Sequence, residues 1–177
     1  MNFYEAREDS FLLQKQIKNY AKGFILDMGT GSGIQAEEAA KFSDKVLAVD
    51  INEKAIKHCE KKLPRIEFRQ SNLFSNITEN FDLIVFNPPY LPNEPRAPDI
   101  ALDGGKEGYE LIGAFLKQAK EHLNEDGTIL LLFSSFSKKE KIINILKEEN
   151  YKYKEIAREH IEFEDLYVYE IKWTKNS

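Results

Sequence analysis

The sequence predicts an α/β fold: a doubly wound, largely parallel sheet with helices on both faces and an antiparallel hairpin at its C-terminal end. Three observations carry this. Short apolar runs alternate with segments of helical period along most of the chain. The first of these runs is followed at once by Gly29, Gly31 and Gly33, where a strand would hand over to a helix. Beyond residue 150 the alternation stops, and two strand-like stretches succeed one another with no helix between them. The 177 residues, 42% hydrophobic and 31% charged with a net charge of -5, match one ordinary globular core, so residues 1–177 are expected to form a single domain.

Taken in order, Asp9-Ser10 reads as the cap of a helix over residues 11–22, in an N-terminal segment (1–22) distinct from the alternating middle. Residues 24–28 are short, apolar and followed by glycines, as a buried strand would be. Helical patterns at 35–41, 53–62, 109–122 and 138–149 separate further strands at 46–49, 83–86 and 128–133. Asn52 and Ser137 stand where short polar side chains would cap the second and fourth of these helices. Residues 66–69 alternate instead of running apolar, which suits a half-exposed strand near a sheet edge. Residues 151–162 and 165–172 then close the chain as a hairpin, the last of seven strands. One long irregular segment remains, residues 87–108, with five of the six prolines and three glycines; a loop of that length in so small a domain is usually functional.

Several classes of function are disfavoured. Apolar runs such as 129–133 fall far short of the ~20 residues that cross a bilayer, so no membrane span is expected. Met1-Asn2-Phe3-Tyr4-Glu5 lacks the basic-then-apolar pattern of a secretory signal. A lone cysteine, Cys59, makes no internal disulfide and no cysteine-rich cage, and points to a reducing cytoplasm. His58, His122 and His160 are scattered, so a bound metal is not expected either. The acidic balance argues against unaided binding of duplex nucleic acid, and Lys15, Lys18 and Lys22 fit a solvated helix face.

Asp27-Met28-Gly29-Thr30-Gly31-Ser32-Gly33 is neither a phosphate-binding loop, which would end in Gly-Lys, nor G-x-G-x-x-G. Its acid, two residues before the first glycine, would repel a pyrophosphate and attract a cationic amino group. The same glycines would also serve a plain strand–helix turn. Asp50 ends the second strand, 17 residues beyond Gly33, where an acid can accept both hydroxyls of a ribose, or merely neighbour the Asn52 cap. After the third strand, Asn72 is placed to bond an adenine edge and Leu73 to pack on its face. A nucleoside carrying an α-amino acid, the shape of S-adenosylmethionine, suits this set.

Asn87-Pro88-Pro89-Tyr90 follows the fourth strand. Two consecutive prolines remove two backbone donors, leaving carbonyl oxygens and the Asn87 amide oxygen as the main polar groups. Such a pocket wants hydrogen-bond donors, and an –NH₂ group supplies two; Tyr90 adds a flat face for a planar group. A proline-rich turn that merely ends a strand is the plain alternative. An amide nitrogen held by Asn87 Oδ1 and the Pro88 carbonyl would have its lone pair turned toward a sulfonium methyl, so alignment and preorganised dipoles would supply the catalysis. A methylated amide nitrogen sheds its proton readily, so no strong base is needed.

Over nearly its full length the chain resembles the class I S-adenosylmethionine-dependent methyltransferases, of Rossmann-like fold with a seven-stranded sheet. Within them it resembles the HemK/PrmC group, which methylates glutamine N5 in the Gly-Gly-Gln motif of class 1 peptide-release factors. The Asn87–Tyr90 tetrapeptide is shared with enzymes that methylate adenine or cytosine in DNA, so it marks the class more than the substrate. More discriminating are Tyr4-Glu5-Ala6-Arg7-Glu8-Asp9-Ser10, similar to the opening of the short archaeal and eukaryotic branch, and Ala101-Leu102-Asp103-Gly104-Gly105-Lys106-Glu107-Gly108, similar to that group's glycine-rich loop. The resemblance implies that residues 1–22 cover the cofactor site and residues 87–108 form the substrate loop. It implies Ser10 at the cofactor's carboxylate end and Asp27 and Gly29 at its amino group and backbone. Asp50 would bind the ribose and Asn72 with Leu73 the adenine, while Thr30, Gly31, Gly33 and Ile51 complete the cofactor site. Asn87 would hold the acceptor amide beside the methyl, with S-adenosylhomocysteine as product.

Ala6, Ser10 and Asn72 depart from the usual proline, threonine and aspartate. The branch also implies a small zinc-binding activator subunit on an apolar sheet edge, for which residues 66–70 offer a strand, or simply an ordinary protected edge. The competing activities are adenine-N6 methylation of DNA, for which a recognition domain and basic surface are missing, and protein-lysine methylation. A non-catalytic cofactor-binding subunit is a further rival, but it would not need the Asn87–Tyr90 pocket.

Overall fold

The computed structural model describes residues 6–89 and 108–173. In chain order it contains α1 (Glu8–Ile17), β1 (Phe24–Met28), α2 (Ile34–Ala39), β2 (Lys45–Asp50), α3 (Glu53–Lys62), β3 (Glu67–Gln70) and β4 (Phe81–Phe86). After the undescribed stretch come α4 (Glu110–Ala119), β5 (Leu123–Ser134), α5 (Lys139–Glu148), β6 (Tyr151–Ile161) and β7 (Glu164–Trp173). The strands form one seven-stranded sheet in the order β3-β2-β1-β4-β5-β7-β6. β1 to β5 pair in parallel, and β7 runs antiparallel to both β5 and β6. This is the Rossmann-like sheet with a C-terminal hairpin that the sequence predicts, with β3 and β6 as its edges.

The apolar runs are continuous because the central strands are covered on both faces. On one face Met28, Ile84, Phe86 and Ile129 pack against Ile112 and Phe115 of α4 and Ile142 of α5. On the other, Ile25, Leu83, Val85 and Leu130 meet Leu12, Leu13 and Ile17 of α1 and Ala36 and Ala39 of α2. α3 lies along β2 and β3, its Cys59 beneath the glycine loop, where Sγ donates to the Gly31 carbonyl at 3.4 Å. Between β1 and β4 the winding reverses, and the crevice at their carboxyl ends is the usual ligand position in such sheets.

Local readings of the sequence are corrected at three points. α1 starts at Glu8 behind Arg7 and stops at Ile17, so Asp9 and Ser10 are buried residues of its first turn and not its cap. The reason is tertiary: both side chains are engaged by Asn87 from β4. Asn52 does cap α3, accepting from the Lys54 N–H at 3.0 Å, but α5 is preceded by Lys138 at φ 53 and Ser137 is not its cap. There Ser134 caps the short turn Ser135–Ser137 by accepting from Phe136 N–H. β5 reaches back through Gly127 to Leu123, where a Cβ on Gly127 would lie 2.9 Å from the Phe81 carbonyl; only glycine lets the two strands approach so closely. Among the described residues no helix is long and apolar enough to cross a membrane.

Candidate functional site

The glycine loop leaves β1 with Gly29 at φ 67, Gly31 at φ 52 and Gly33 at φ 83. At Gly33 two constraints meet: the left-handed backbone, and a Cβ position 3.0 Å from both Cys59 Sγ and Leu63 Cδ1. The loop is tied to β2, since Thr30 N–H donates to the Val49 carbonyl at 2.9 Å and Gly31 N–H to Asp50 Oδ2 at 2.9 Å. The other Asp50 oxygen accepts from Asn52 N–H at 2.8 Å. Asp50 thus closes the end of β2 onto the loop.

Asp27 lies deeper, 1% exposed. Its Oδ2 accepts from Thr30 Oγ1 at 2.6 Å and from Ala36 N–H at 3.1 Å, so one carboxylate oxygen fixes both the loop and the first turn of α2. Burial pushes its pKa up to about 7; the Thr30 and Ala36 hydrogen bonds oppose this and the charge of Asp50 adds to it. Asp50 is raised as well, again by burial, against the backbone N–H groups of Asn52, Gly31 and Ile51. Two desolvated acids stand beside the exposed backbone of Gly29, a combination that a cationic, hydroxyl-bearing ligand would complement.

Beyond β3 the chain turns tightly. Ser71 Oγ donates to the Leu73 carbonyl at 2.6 Å and accepts from Asn76 N–H at 3.1 Å, while Asn72 N–H donates to Ser75 Oγ at 3.1 Å. Leu73 is held at φ 48, a conformation that costs a non-glycine residue of order 1 kcal/mol, and is half-buried against the core. Asn72 and Ile51 are exposed at this end of the sheet, and Gln70 Nε2 donates to the Ile51 carbonyl at 3.0 Å.

Asn87 follows β4 directly. Its Nδ2 donates to Asp9 Oδ2 at 3.2 Å and to Ser10 Oγ at 3.4 Å, which clamps the first turn of α1 over the carboxyl ends of β1 and β4. Its Oδ1 is buried without a hydrogen-bond partner. Pro88 beside it is buried and carries no N–H. Gln35, in the first turn of α2, repeats the pattern: Nε2 donates to the Ser10 carbonyl at 2.9 Å, and Oε1 is buried and unpartnered. These are the two such atoms among the described residues.

Ser10, Asp27, Thr30, Gly31, Asp50 and Asn87 are therefore joined through direct hydrogen bonds or shared neighbours, with Ile51, Asn72 and Leu73 farther out on the β2–β3 side. Tyr90 and the segments 1–5 and 90–107 lie outside the described residues. Sequence reasoning assigned no role in the site to Asp9 or Gln35. Asp9 looks like a helix cap in isolation, and a single glutamine behind Gly33 carries no spacing signal of its own.

Asp27, whose pKa is pushed up to about 7, and the backbone exposed at Gly29 suit a nucleoside carrying an α-amino acid, and the orphaned Asn87 oxygen suits a separate N–H donor. Residues 7–164 match the methyltransferase small domain family. A Methanocaldococcus jannaschii protein, provisionally named a protein N5-glutamine methyltransferase, is 37% identical over 175 residues, covering 93% of this chain and 89% of its own. A release factor glutamine methyltransferase of Haemophilus influenzae is 31% identical over 171 residues, covering 84% of this chain and 58% of its own. Among solved structures, the E. cuniculi Mtq2-Trm112 complex, described as responsible for methylation of the eRF1 translation termination factor, superposes with a TM-score of 0.82 at 24% identity, covering 98% of this chain and 100% of that one.

Proposed function

The chain belongs to the methyltransferase small domain family, and from that premise we propose that it methylates the side-chain amide nitrogen, N5, of the glutamine in the Gly-Gly-Gln motif of a class 1 peptide-release factor. The observation that carries this reading is the Asn87 Oδ1 atom: buried, unpartnered, and followed by a proline that offers a carbonyl but no N–H. A primary amide brings two N–H donors to such a place, and the names of the relatives supply the same chemistry.

S-adenosylmethionine supplies an electrophilic methyl group when bound, and S-adenosylhomocysteine is what remains. In the proposed assignment Asp27 takes the α-amino group and Ser10 the carboxylate end. Gly29 and Gly31 offer backbone that a ligand can approach closely, and Thr30 and Gly33 keep that loop in shape. Asp50 accepts the ribose hydroxyls, and Ile51, Asn72 and Leu73 enclose the adenine. Asn87 Oδ1 and the Pro88 carbonyl accept the two N–H bonds of the substrate amide. They fix the nitrogen and turn its lone pair out of conjugation toward the reacting carbon, while Pro89 stiffens the turn and Tyr90 presents a flat face to the amide plane. Alignment and fixed dipoles thereby replace a general base.

The partner side of the proposal is a small zinc-binding activator subunit added along β3, supported by the place of that strand at the edge of the described sheet and by the two-protein assembly of the eRF1-methylating neighbour. The test incubates the protein, alone and with a co-expressed activator, with methyl-labelled cofactor and either release factor or adenine-containing DNA. Label in the release factor is expected, and a glutamine-to-alanine change in its Gly-Gly-Gln motif should abolish it. Label in DNA alone would overturn the reading.

A further inference from the structure

We propose that Asp9 is a positioning residue that decides which end of the Asn87 amide faces the methyl acceptor, an inference that rests on the acceptor role given to Asn87 above. An amide side chain is nearly symmetric in shape and opposite in function at its two ends: the oxygen accepts and the nitrogen donates. The Asn87 pocket serves an N–H donor only if the oxygen points into it. Something must therefore bind the nitrogen end, and that group must be unable to donate.

Asp9 meets the requirement. It is 2% exposed, and Asn87 Nδ2 lies 3.2 Å from its Oδ2. A carboxylate offers acceptors alone, so a flipped Asn87 would set oxygen against oxygen in a buried space. Ser10 Oγ, at 3.4 Å, is a weaker second acceptor, and it accepts only because its own hydrogen is given to Asp9 Oδ1. Asp9 is itself fixed, since its Oδ1 accepts from Ser10 N–H at 2.6 Å and from Ser10 Oγ at 3.3 Å. The chain of preference runs from a backbone N–H, which cannot flip, through Oδ1 and Oδ2 of Asp9 to the Asn87 nitrogen. It leaves Asn87 Oδ1 as the end without a partner, the one that can receive a donor.

This order makes an unusual prediction about Asp9→Asn. Ser10 N–H demands an acceptor, so the new amide must keep its oxygen there and turn its –NH₂ toward Asn87. Asn87 would then rotate its oxygen toward Asn at position 9 and its –NH₂ toward the substrate amide, donor against donor. Asp9→Asn should lower kcat for release-factor methylation about 100-fold. Asp9→Ala, which removes the bias without reversing it, should lose less, about tenfold. Adding Asn87→Asp to Asp9→Asn restores the donor–acceptor order, because the position-9 amide then donates to a carboxylate whose other oxygen faces the substrate. The double variant should regain about tenfold over Asp9→Asn alone.

S-adenosylhomocysteine affinity, read by calorimetry, should stay within about twofold in Asp9→Asn, which keeps an acceptor for the Ser10 N–H, and fall further in Asp9→Ala, which frees Ser10 at the cofactor's carboxylate end. A substrate-free readout is the side-chain ¹⁵N–¹H signal pair of Asn87, which should shift on Asp9→Asn and in Asp9→Ala. A double variant no faster than Asp9→Asn, Asp9→Ala slower than Asp9→Asn, or Asn87 amide signals unmoved by either substitution would overturn the assignment. If the native protein leaves release factor unlabelled, the substrate reading falls, and the amide signals still decide the orientation on their own.

Discussion

The two ends of the molecule handle polar groups in opposite ways. At the β6–β7 hairpin the charges are matched near the surface: Lys139 Nζ sits 2.8 Å from Glu155 Oε2 and 3.9 Å from the Tyr167 ring centre, and Arg158 Nη2 lies 2.8 Å from Asp165 Oδ2. Arg158 and His160 hold the Asp165 carboxyl below its usual range. Aromatic side chains fill the space beneath, with Phe133 and Tyr169 edge-on at 4.9 Å. At the carboxyl ends of β1 and β4 the pattern reverses. There a buried acid has its pKa pushed up to about 7, and two buried amide oxygens lack partners. Stability alone would select against that arrangement, so in the proposed assignment the mismatched groups are where a ligand would supply the missing halves, while the hairpin end is framework.

Substitutions separate the two ends by what each one costs. Asn87→Ala should reduce methyl transfer by at least about 100-fold, as loss of a preorganised polar group in a site does, with S-adenosylhomocysteine affinity within about threefold. Oδ1 is already unpartnered, so the stability lost should be that of the Nδ2 bonds to Asp9 and Ser10, about 1–2 kcal/mol. Tyr169→Ala should do the reverse. Truncating this 4% exposed ring costs about 3 kcal/mol of unfolding free energy in a denaturant titration and leaves cofactor affinity of the folded protein unchanged.

Asp27→Asn sharpens the contrast within the site. It should weaken S-adenosylhomocysteine about tenfold by removing the charge opposite the amino group, yet stabilise the unliganded protein at pH 8 by about 1–3 kcal/mol. The sign follows from the direction of the shift. The native carboxyl holds its proton up to about 7, well above the ordinary aspartate value of 3.8, so the native state binds more protons than the unfolded state between those values. The native protein therefore loses stability as pH rises through that window. The gap between variant and native protein should open across it in thermal melts, and cofactor affinity of the native protein should fall as pH drops below about 7. Smallest is Lys139→Met, which removes an ion pair and a cation–π contact from a side chain 31% exposed; less than about 1 kcal/mol is expected, with no effect on binding.

The fold could be read from the chain because its signals are local. Apolar runs at β1, β2, β4 and β5 register burial on two faces, the alternation at β3 registers an edge, and the absence of a helix between β6 and β7 registers a hairpin. What the chain concealed depends on contacts between distant residues. Asp9-Ser10 has the local form of a helix cap, and only the approach of Asn87, 78 residues along from Asp9, draws both side chains inward as part of the first turn. Gln35 gives no local sign of its contact with the Ser10 carbonyl, 25 residues away. Asp27 and Asn87 were visible as motif residues, but their energetic state was not: the raised pKa and the orphaned oxygen come from burial, which a linear pattern does not measure.

The central claim is that the orphaned Asn87 oxygen exists to receive a glutamine amide. Its most direct test is mass spectrometry of a release factor incubated with this protein, its activator and S-adenosylmethionine. One added methyl group is expected on the side-chain nitrogen of the Gly-Gly-Gln glutamine, absent when the enzyme carries Asn87→Ala. Methylation at a lysine or on DNA adenine with that glutamine untouched, or full glutamine methylation by the Asn87→Ala enzyme, would contradict it.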